Sequence, residues 1–408
     1  MTNRINVDRI RDRHDQIAGI GALSSGGVSR LALSDEDKQA RDVLRGWMQE
    51  LDLVITQDDL GNMYGLLAGT DSALDPIVLG SHLDSVPNGG TFDGVLGVLA
   101  GLEVLQSVLE TGQKPRRSLL LVNFTNEEGA RFPIPMISSG VLSDTYTTEK
   151  MMELPDQNHI TIEQELQRLD LLGDKTSRLK RAYAFLELHI EQGPVLEDKS
   201  RQIGIVRGIQ GLSWHEFTIV GDADHAGPSP MASRADAGIM AMKVMLALHE
   251  WILHLEDQTT ITFGQIKTEP FSINVIPGKT TFSVDIRHPD KTVLDERLVE
   301  MMTLVEETMA QEPGSWEEAP LSYMPPVTFH LPFLEELESI CREQRFSYST
   351  MFSGAGHDAM HISKFIPTVM LFVPSIGGKS HHPAELSRWE DIDQAVQLMY
   401  EWTTGHCY

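Results

Sequence analysis

Residues 76–109 read PIVLGSHLDSVPNGGTFDGVLGVLAGLEVLQSVL. An aliphatic run stops abruptly at His82 and Asp84, a loop rich in glycine follows, and from Gly94 the pattern becomes that of an apolar helix. A short continuous aliphatic run suits a strand buried on both faces, as in a sheet covered by helices. The pattern recurs in SLLLVNFTNE (118–127), AFLELHIE (184–191) and PTVMLFVP (367–374). A helical pattern at 35–51 precedes these runs and another at 94–109 lies between the first two, and strand–helix alternation of this kind predicts α/β layers.

The stretch 208–324 follows another pattern. An alternating strand at 214–220, a helix over 234–254, strands near 259–266 and 279–287 and a helix over 292–309 make a compact α+β unit. The expected organisation is therefore a main domain from 1–207 and 325–408, interrupted by an inserted domain at 208–324.

With 33 Lys+Arg against 59 Asp+Glu the 408-residue chain carries a formal charge of −26. That charge repels phosphate backbones and anionic membranes, so neither nucleic acid nor a membrane surface is an expected partner. The two cysteines, Cys341 and Cys407, are too few for a disulfide framework. A reducing compartment, the cytoplasm, is the expected location. The first residues have no apolar signal region, and no uncharged run reaches the roughly 18 residues of a membrane span.

Open α/β sheets place their sites at the carboxyl ends of parallel strands. There this chain supplies His82 and Asp84, Glu127 and Glu128, and His189, with Asp93 just ahead of a helix. Imidazole and carboxylate together are the donors that zinc and related divalent ions take. Each residue has a plainer reading by itself. His82 suits a hydrogen-bonded strand end, Glu127-Glu128 a solvated helix start, Asp93 a helix cap and His189 a satisfied core histidine. The plain readings together require independent coincidences at one sheet edge, so the cluster predicts a divalent metal site.

The segments GSHLDSVPNGGTFDG (80–94), NFTNEEGARF (123–132), ELHIEQGPVLE (187–197), GDADHAGPSPM (221–231), INVIPGKTTFSVDIR (273–287), FSGAGHDAM (352–360) and GGKSHHPAE (377–385) run in order through nearly the whole chain. With them the sequence resembles the dinuclear-metal amidohydrolases of the hydantoinase/carbamoylase family, related to the carboxypeptidase and aminoacylase metallopeptidases. The resemblance implies an α/β fold with a mixed central sheet, helices on both faces, and an inserted lid that also forms a homodimer. It implies two divalent metal ions, zinc foremost, with manganese, cobalt or nickel also suited to the donors. His82, Asp93 and His189 would hold one ion, and Asp93, Glu128 and His381 the other. His381, not the neighbouring His382, matches the ligand by position.

The same resemblance makes Glu127 the general base and Asp84 the acceptor of the second His82 ring proton. His225 would stabilise the oxyanion, from either its own subunit or a partner. Asn274 and Arg287 would bind a substrate carboxylate, with Gln192 and the Gly354-Ala355-Gly356 turn making further substrate contacts. His357-Asp358 suggests a serine-hydrolase pairing with Ser353, but no Gly-x-Ser-x-Gly elbow is present. The expected reaction is hydrolysis of an N-carbamoyl-L-amino acid to the amino acid, carbon dioxide and ammonia. Allantoate amidohydrolase is the alternative, followed by β-ureidopropionase, dipeptidase or aminoacylase. A non-catalytic ligand-binding relative would have been favoured had any ligand position been lost.

Overall fold

The four aliphatic runs form four adjacent parallel strands, in the order Leu119–Phe124, Ile77–His82, Ala184–Ile190 and Thr368–Val373. The computed structural model describes residues 4–408; residues 1–3, with which the N-terminal reading and the expected main domain begin, lie outside the described residues. Antiparallel strands extend both flanks, Met63–Leu67 and Val54–Gln57 on one and Ile203–Ile209 on the other. The sheet is thus mixed. Every residue of Ile77–His82, Ala184–Ile190 and Thr368–Val373 is buried, as their unbroken apolar pattern requires.

The helix Val95–Glu110 lies across the central strands and is itself covered by Val7–Ala18 and Trp389–Cys407. This explains why its apolar residues occupy nearly the whole circumference instead of one stripe. Its one buried acid, Glu103, is ion-paired with Arg9 at 2.7 Å and also accepts from the Asn6 amide and the Ser107 hydroxyl.

Backbone contacts divide the chain into two compact units, one running to Arg207 and resuming at Thr328–Tyr408, the other Gly208–Val327. The chain returns at Thr328 and not at the expected 325, because Pro326 still lies against Gly211 of the second unit. The second unit has a five-stranded antiparallel sheet in which Lys279–His288 pairs with Gly211–Val220 along ten residues. Alternate residues of both strands are buried against the helices Ala237–Leu253 and Lys291–Met309, and Phe217 stacks on Phe282 at 5.4 Å. The sheet also contains Ser315–Met324, which sequence reading missed. Two glutamates and Pro320 break its alternation, and the register shifts between Pro320 and Ser322, where proline is tolerated in a strand.

Gly80, inside the fully buried strand Ile77–His82, has φ 152°. A Cβ there would meet the Val122 carbonyl oxygen at 2.0 Å. Gly80→Ala is therefore expected to lower stability by about 1–3 kcal/mol through forced overpacking, measured by urea unfolding.

Candidate metal centre

Parallel pairing brings the functional side chains to one edge of the sheet. His82 is the last residue of its strand and is paired with Phe124, so Glu127 and Glu128 follow beside it; His189 is paired with Phe372, eight residues before Ser380. Two groups of donors result, His82 with Asp93 and His189, and Asp93 with Glu128 and His381, the donor atoms of each lying within 4.8 Å of one another. Asp93 belongs to both. Its Oδ1 is 3.2 Å from His189 Nε2 and 3.5 Å from His82 Nε2, and its Oδ2 is 3.5 Å from His381 Nε2. His381 Nε2 is also 3.2 Å from Glu128 Oε2. Asp93 does not cap the following helix; Gly94 takes the N-cap position with no side-chain hydrogen bond.

The ring orientations are set by the backbone. His82 Nδ1 donates to the Asp84 carbonyl at 3.0 Å and His189 Nδ1 to the Ile190 carbonyl at 2.9 Å, so both rings turn Nε2 toward Asp93, and His189 Nε2 also lies 3.2 Å from the Gly94 amide. Asp84 thus accepts the second His82 ring proton as expected, through its backbone carbonyl. Its carboxylate lies 3.8 Å from His82 Nδ1 and accepts the amides of Glu127 and Glu128, both at 3.3 Å, which holds the turn carrying those two residues. Gln192, expected at the substrate, lies beside the shared carboxylate. Its side-chain amide donates to Asp93 Oδ2 at 2.7 Å, so it orients the shared carboxylate.

The donor set fits cations. His82 Nε2 and Glu128 Oε1 are buried with no hydrogen-bond partner, an arrangement that is costly unless something else pairs with them. Glu127, with its Oε2 3.6 Å from His82 Nε2, belongs to neither donor group. Burial raises its carboxyl well above the ordinary range; His82 opposes the shift, and Asp358, Glu128 and Asp93 add to it. Burial works against ionisation of Asp93 too, but His189, His381 and His82 override it and hold that carboxyl well below its usual value. Two neighbouring carboxylates are thus driven apart in proton affinity, the condition under which one can act as a base while the other stays charged.

Residues 78–404 match peptidase family M20/M25/M40. The chain belongs to this family. Within it, the chain is 36% identical to an N-carbamoyl-L-amino-acid amidohydrolase of Rhizobium meliloti, over 94% of this chain and 92% of that one. It is 34% identical to an allantoate amidohydrolase of Bacillus subtilis, over 96% and 95%. The crystal structure of an amidase of the hydantoinase/carbamoylase family from Burkholderia multivorans superposes with a TM-score of 0.95 at 36% identity, covering 100% of this chain and 99% of that one. The chain is a member of the hydantoinase/carbamoylase branch of the family.

The remaining expected residues fall into two places. In the first unit, Gly354-Ala355-Gly356 form the turn after Tyr348–Ser353. The Ser353 hydroxyl donates to the Ala355 carbonyl at 2.8 Å, accepts from the Ala355 amide at 3.1 Å, and lies 3.1 Å from His357 Nε2. With its proton given to Ala355, Ser353 accepts from the imidazole. This is the reverse of what an activated nucleophile needs, so the pair is structural. The His357 ring lies 4.4 Å from that of His189. In the second unit, the Asp224–His225 strand pairs with Val275–Ile276, and the Ala226 amide donates to the Asn274 carbonyl at 3.0 Å, so His225 and Asn274 are neighbours. The Gly227 amide donates to His225 Nδ1 at 3.0 Å, which leaves the neutral ring a donor at Nε2. Arg287, on the Lys279–His288 strand, is held by Asp285 through Nε at 3.0 Å and Nη2 at 2.7 Å.

His382 is explained locally, since its Nδ1 accepts the Ala384 amide and its side chain is no part of either donor group. Sequence reading missed Ser380, whose hydroxyl lies 3.0 Å from Asp93 Oδ2, and Glu385, which accepts the Asp93 amide at 3.0 Å. The available signal was their place in SHHPAE, on either side of His381.

Gly94 has φ 63°, and a Cβ there would stand 2.3–2.5 Å from the His82 ring. Gly94→Ala is expected to displace His82 and weaken zinc binding on the order of 10–100-fold, measured by calorimetric titration of chelator-treated protein.

Proposed function

We propose that the chain hydrolyses the ureido group of N-carbamoyl-L-amino acids, giving the L-amino acid, carbon dioxide and ammonia. The observation that carries this reading is the pair of donor groups sharing Asp93, with the Glu127 carboxyl beside them but outside both. His82, Asp93 and His189 would hold one divalent cation and Asp93, Glu128 and His381 the other. Zinc suits these donors first, and manganese, cobalt or nickel would also fit. Two such cations would polarise a carbonyl and lower the pKa of bound water toward neutrality.

The chain's own groups supply the proton transfers. Glu127 takes a proton from water as its oxygen bonds to the ureido carbon, then delivers it to the amino-acid nitrogen as the carbon–nitrogen bond breaks. The carbamic acid released loses carbon dioxide to leave ammonia. His225 Nε2–H is the donor for the carbonyl oxygen as negative charge develops there. Arg287, its planar fork oriented by Asp285, takes the substrate carboxylate together with Asn274, and the Gly354–Gly356 backbone borders the remainder. Allantoate is the second reading, favoured by the nearly equal likeness to the Bacillus subtilis allantoate amidohydrolase.

A homodimer is part of the proposal. On the helix Ala237–Leu253, Ile239, Met242 and Leu246 are exposed at helical spacing, with Leu253 beyond the exposed His249 and Glu250, an apolar stripe suited to a second copy of itself across a two-fold axis. The net charge argues against nucleic acid and anionic membranes as partners. Among the described residues no helix is long and apolar enough to cross a membrane. Both cysteines are free and buried, which suits the cytoplasm.

Ammonia release from N-carbamoyl-L-amino acids and from allantoate, with and without chelator, tests the function; dipeptides are followed by free amino acid. Chelator-sensitive turnover of the carbamoyl substrates is expected, whereas turnover of dipeptides alone would sink the reading. Glu127→Gln should keep both cations and lower kcat by about 10²–10⁴-fold; loss of metal in place of turnover would show the base and ligand roles to be wrong. For the dimer, Leu246→Glu should yield monomers by light scattering. An equal mixture of His225→Ala and Glu127→Gln chains should recover about a quarter of wild-type turnover if His225 acts across the two-fold axis. No recovery after demonstrated subunit exchange places His225 in its own subunit.

A further inference from the structure

The two donor groups are supported very differently. His82 and His189 stand on fully buried strands of the central sheet. His381 stands on an irregular connection between Thr368–Val373 and Trp389–Cys407 that contains only the short turn Ile376–Gly378. His381 itself has φ 54°, a left-handed backbone that a non-glycine residue keeps only when its surroundings enforce it. Something must hold this connection at the correct distance from Asp93.

Glu385 is placed to do so. It is 6% exposed, and its Oε1 accepts two backbone amides, Phe92 at 2.9 Å and Asp93 at 3.0 Å. Its Oε2 is 3.2 Å from the Ser380 hydroxyl, which is itself 3.0 Å from Asp93 Oδ2 and donates to one of these carboxylates at a time. Gly90 makes the approach possible, since any Cβ there would meet the Glu385 carboxyl at 2.1 Å. One buried carboxylate therefore ties the two flanks of His381, at Ser380 and at Glu385 itself, to the turn that carries Asp93. Hydrogen bonds of amides to an ionised acceptor are among the stronger ties available to a loop.

We propose that Glu385 is a positioning residue that sets the affinity of one cation site, Asp93–Glu128–His381, and leaves the strand-borne His82–Asp93–His189 site nearly unchanged. The inference rests on the two-cation reading given above. It assigns to Glu385 neither contact with substrate nor a proton to transfer. Its consequence is a pair of sites that load unequally, the second depending on a loop contact made about 290 residues away in sequence from the turn it grips.

The test is a zinc titration of the full chain after chelator treatment, by calorimetry and by equilibrium dialysis with metal analysis, on wild type, Glu385→Ala, Glu385→Gln and Ser380→Ala. A His381→Ala variant identifies which binding step belongs to the loop-borne site. In Glu385→Ala that step should weaken by about 10–100-fold while the other stays close to wild type. Glu385→Gln should restore part of the loss, because its carbonyl oxygen can still accept both amides. Ser380→Ala should shift the same step by less. Equal weakening of both steps, or no change in either, overturns the proposal; if Glu385→Ala does not fold, the Gln and Ser380 variants decide by the same criteria. Fewer than two zinc ions on wild type would overturn the two-cation reading and this inference with it. Two ions with an unaltered Glu385→Ala profile would overturn this inference alone.

Discussion

One buried carboxylate, that of Asp93, meets three imidazoles that come from two strands and one loop. Its Oδ1 faces His82 and His189, and its Oδ2 faces His381, Gln192 and Ser380. A charge so removed from water is tolerable only when it is fully paired. Each segment that reaches Asp93 is therefore held in register by the same requirement. The sheet aligns the first two histidines, and the Gly377–Glu385 segment closes over the third side.

The turns at the strand ends do the aiming. Asn126, Gln192 and His381 all have φ between 54° and 59°, and each is, or directly precedes, a residue of the centre. A strand arriving at the sheet edge would carry its next side chains past the centre unless the backbone reversed sharply. The left-handed conformation provides that reversal at a cost of about 1–3 kcal/mol at each non-glycine position. At Asn126 the surrounding hydrogen bonds are visible, its side-chain amide donating to the Ile134 carbonyl at 2.9 Å. Asp84 completes the same turn by taking the two following amides.

Much of this was legible before any coordinates. The four aliphatic runs and the helix after Gly94 follow from burial on both faces, which leaves a pattern in composition alone. His82, Asp93, the Glu127-Glu128 pair and His189 were readable as a set because strand ends and their loops are where such residues gather, whereas His381 and the choice of Glu128 as the ligand came from the family resemblance. What could not be read was the direction of individual hydrogen bonds. Asp84 was expected to accept the His82 ring proton and does so, but by its backbone carbonyl and not its carboxylate, a choice that residue spacing leaves open. The hydrogen bond from Gln192, expected at the substrate, to Asp93 was equally invisible in residue spacing. Ser315–Met324 escaped notice because a half-exposed strand with a proline has almost no periodic signal.

The amino-acid sequence by itself determined the α/β layers, the interruption by an α+β segment and the residue types gathered at one sheet edge. These depend on local periodicity and on chemistry that each residue carries wherever it stands. Only the tertiary structure decided that the Asp84 backbone takes the His82 ring proton, that Gln192 grips Asp93, and that Ser353 accepts a hydrogen bond from His357 where a nucleophile would donate one. Those outcomes turn on which way individual side chains and backbone groups face. Such orientations exist only after strands distant in sequence have settled into one register.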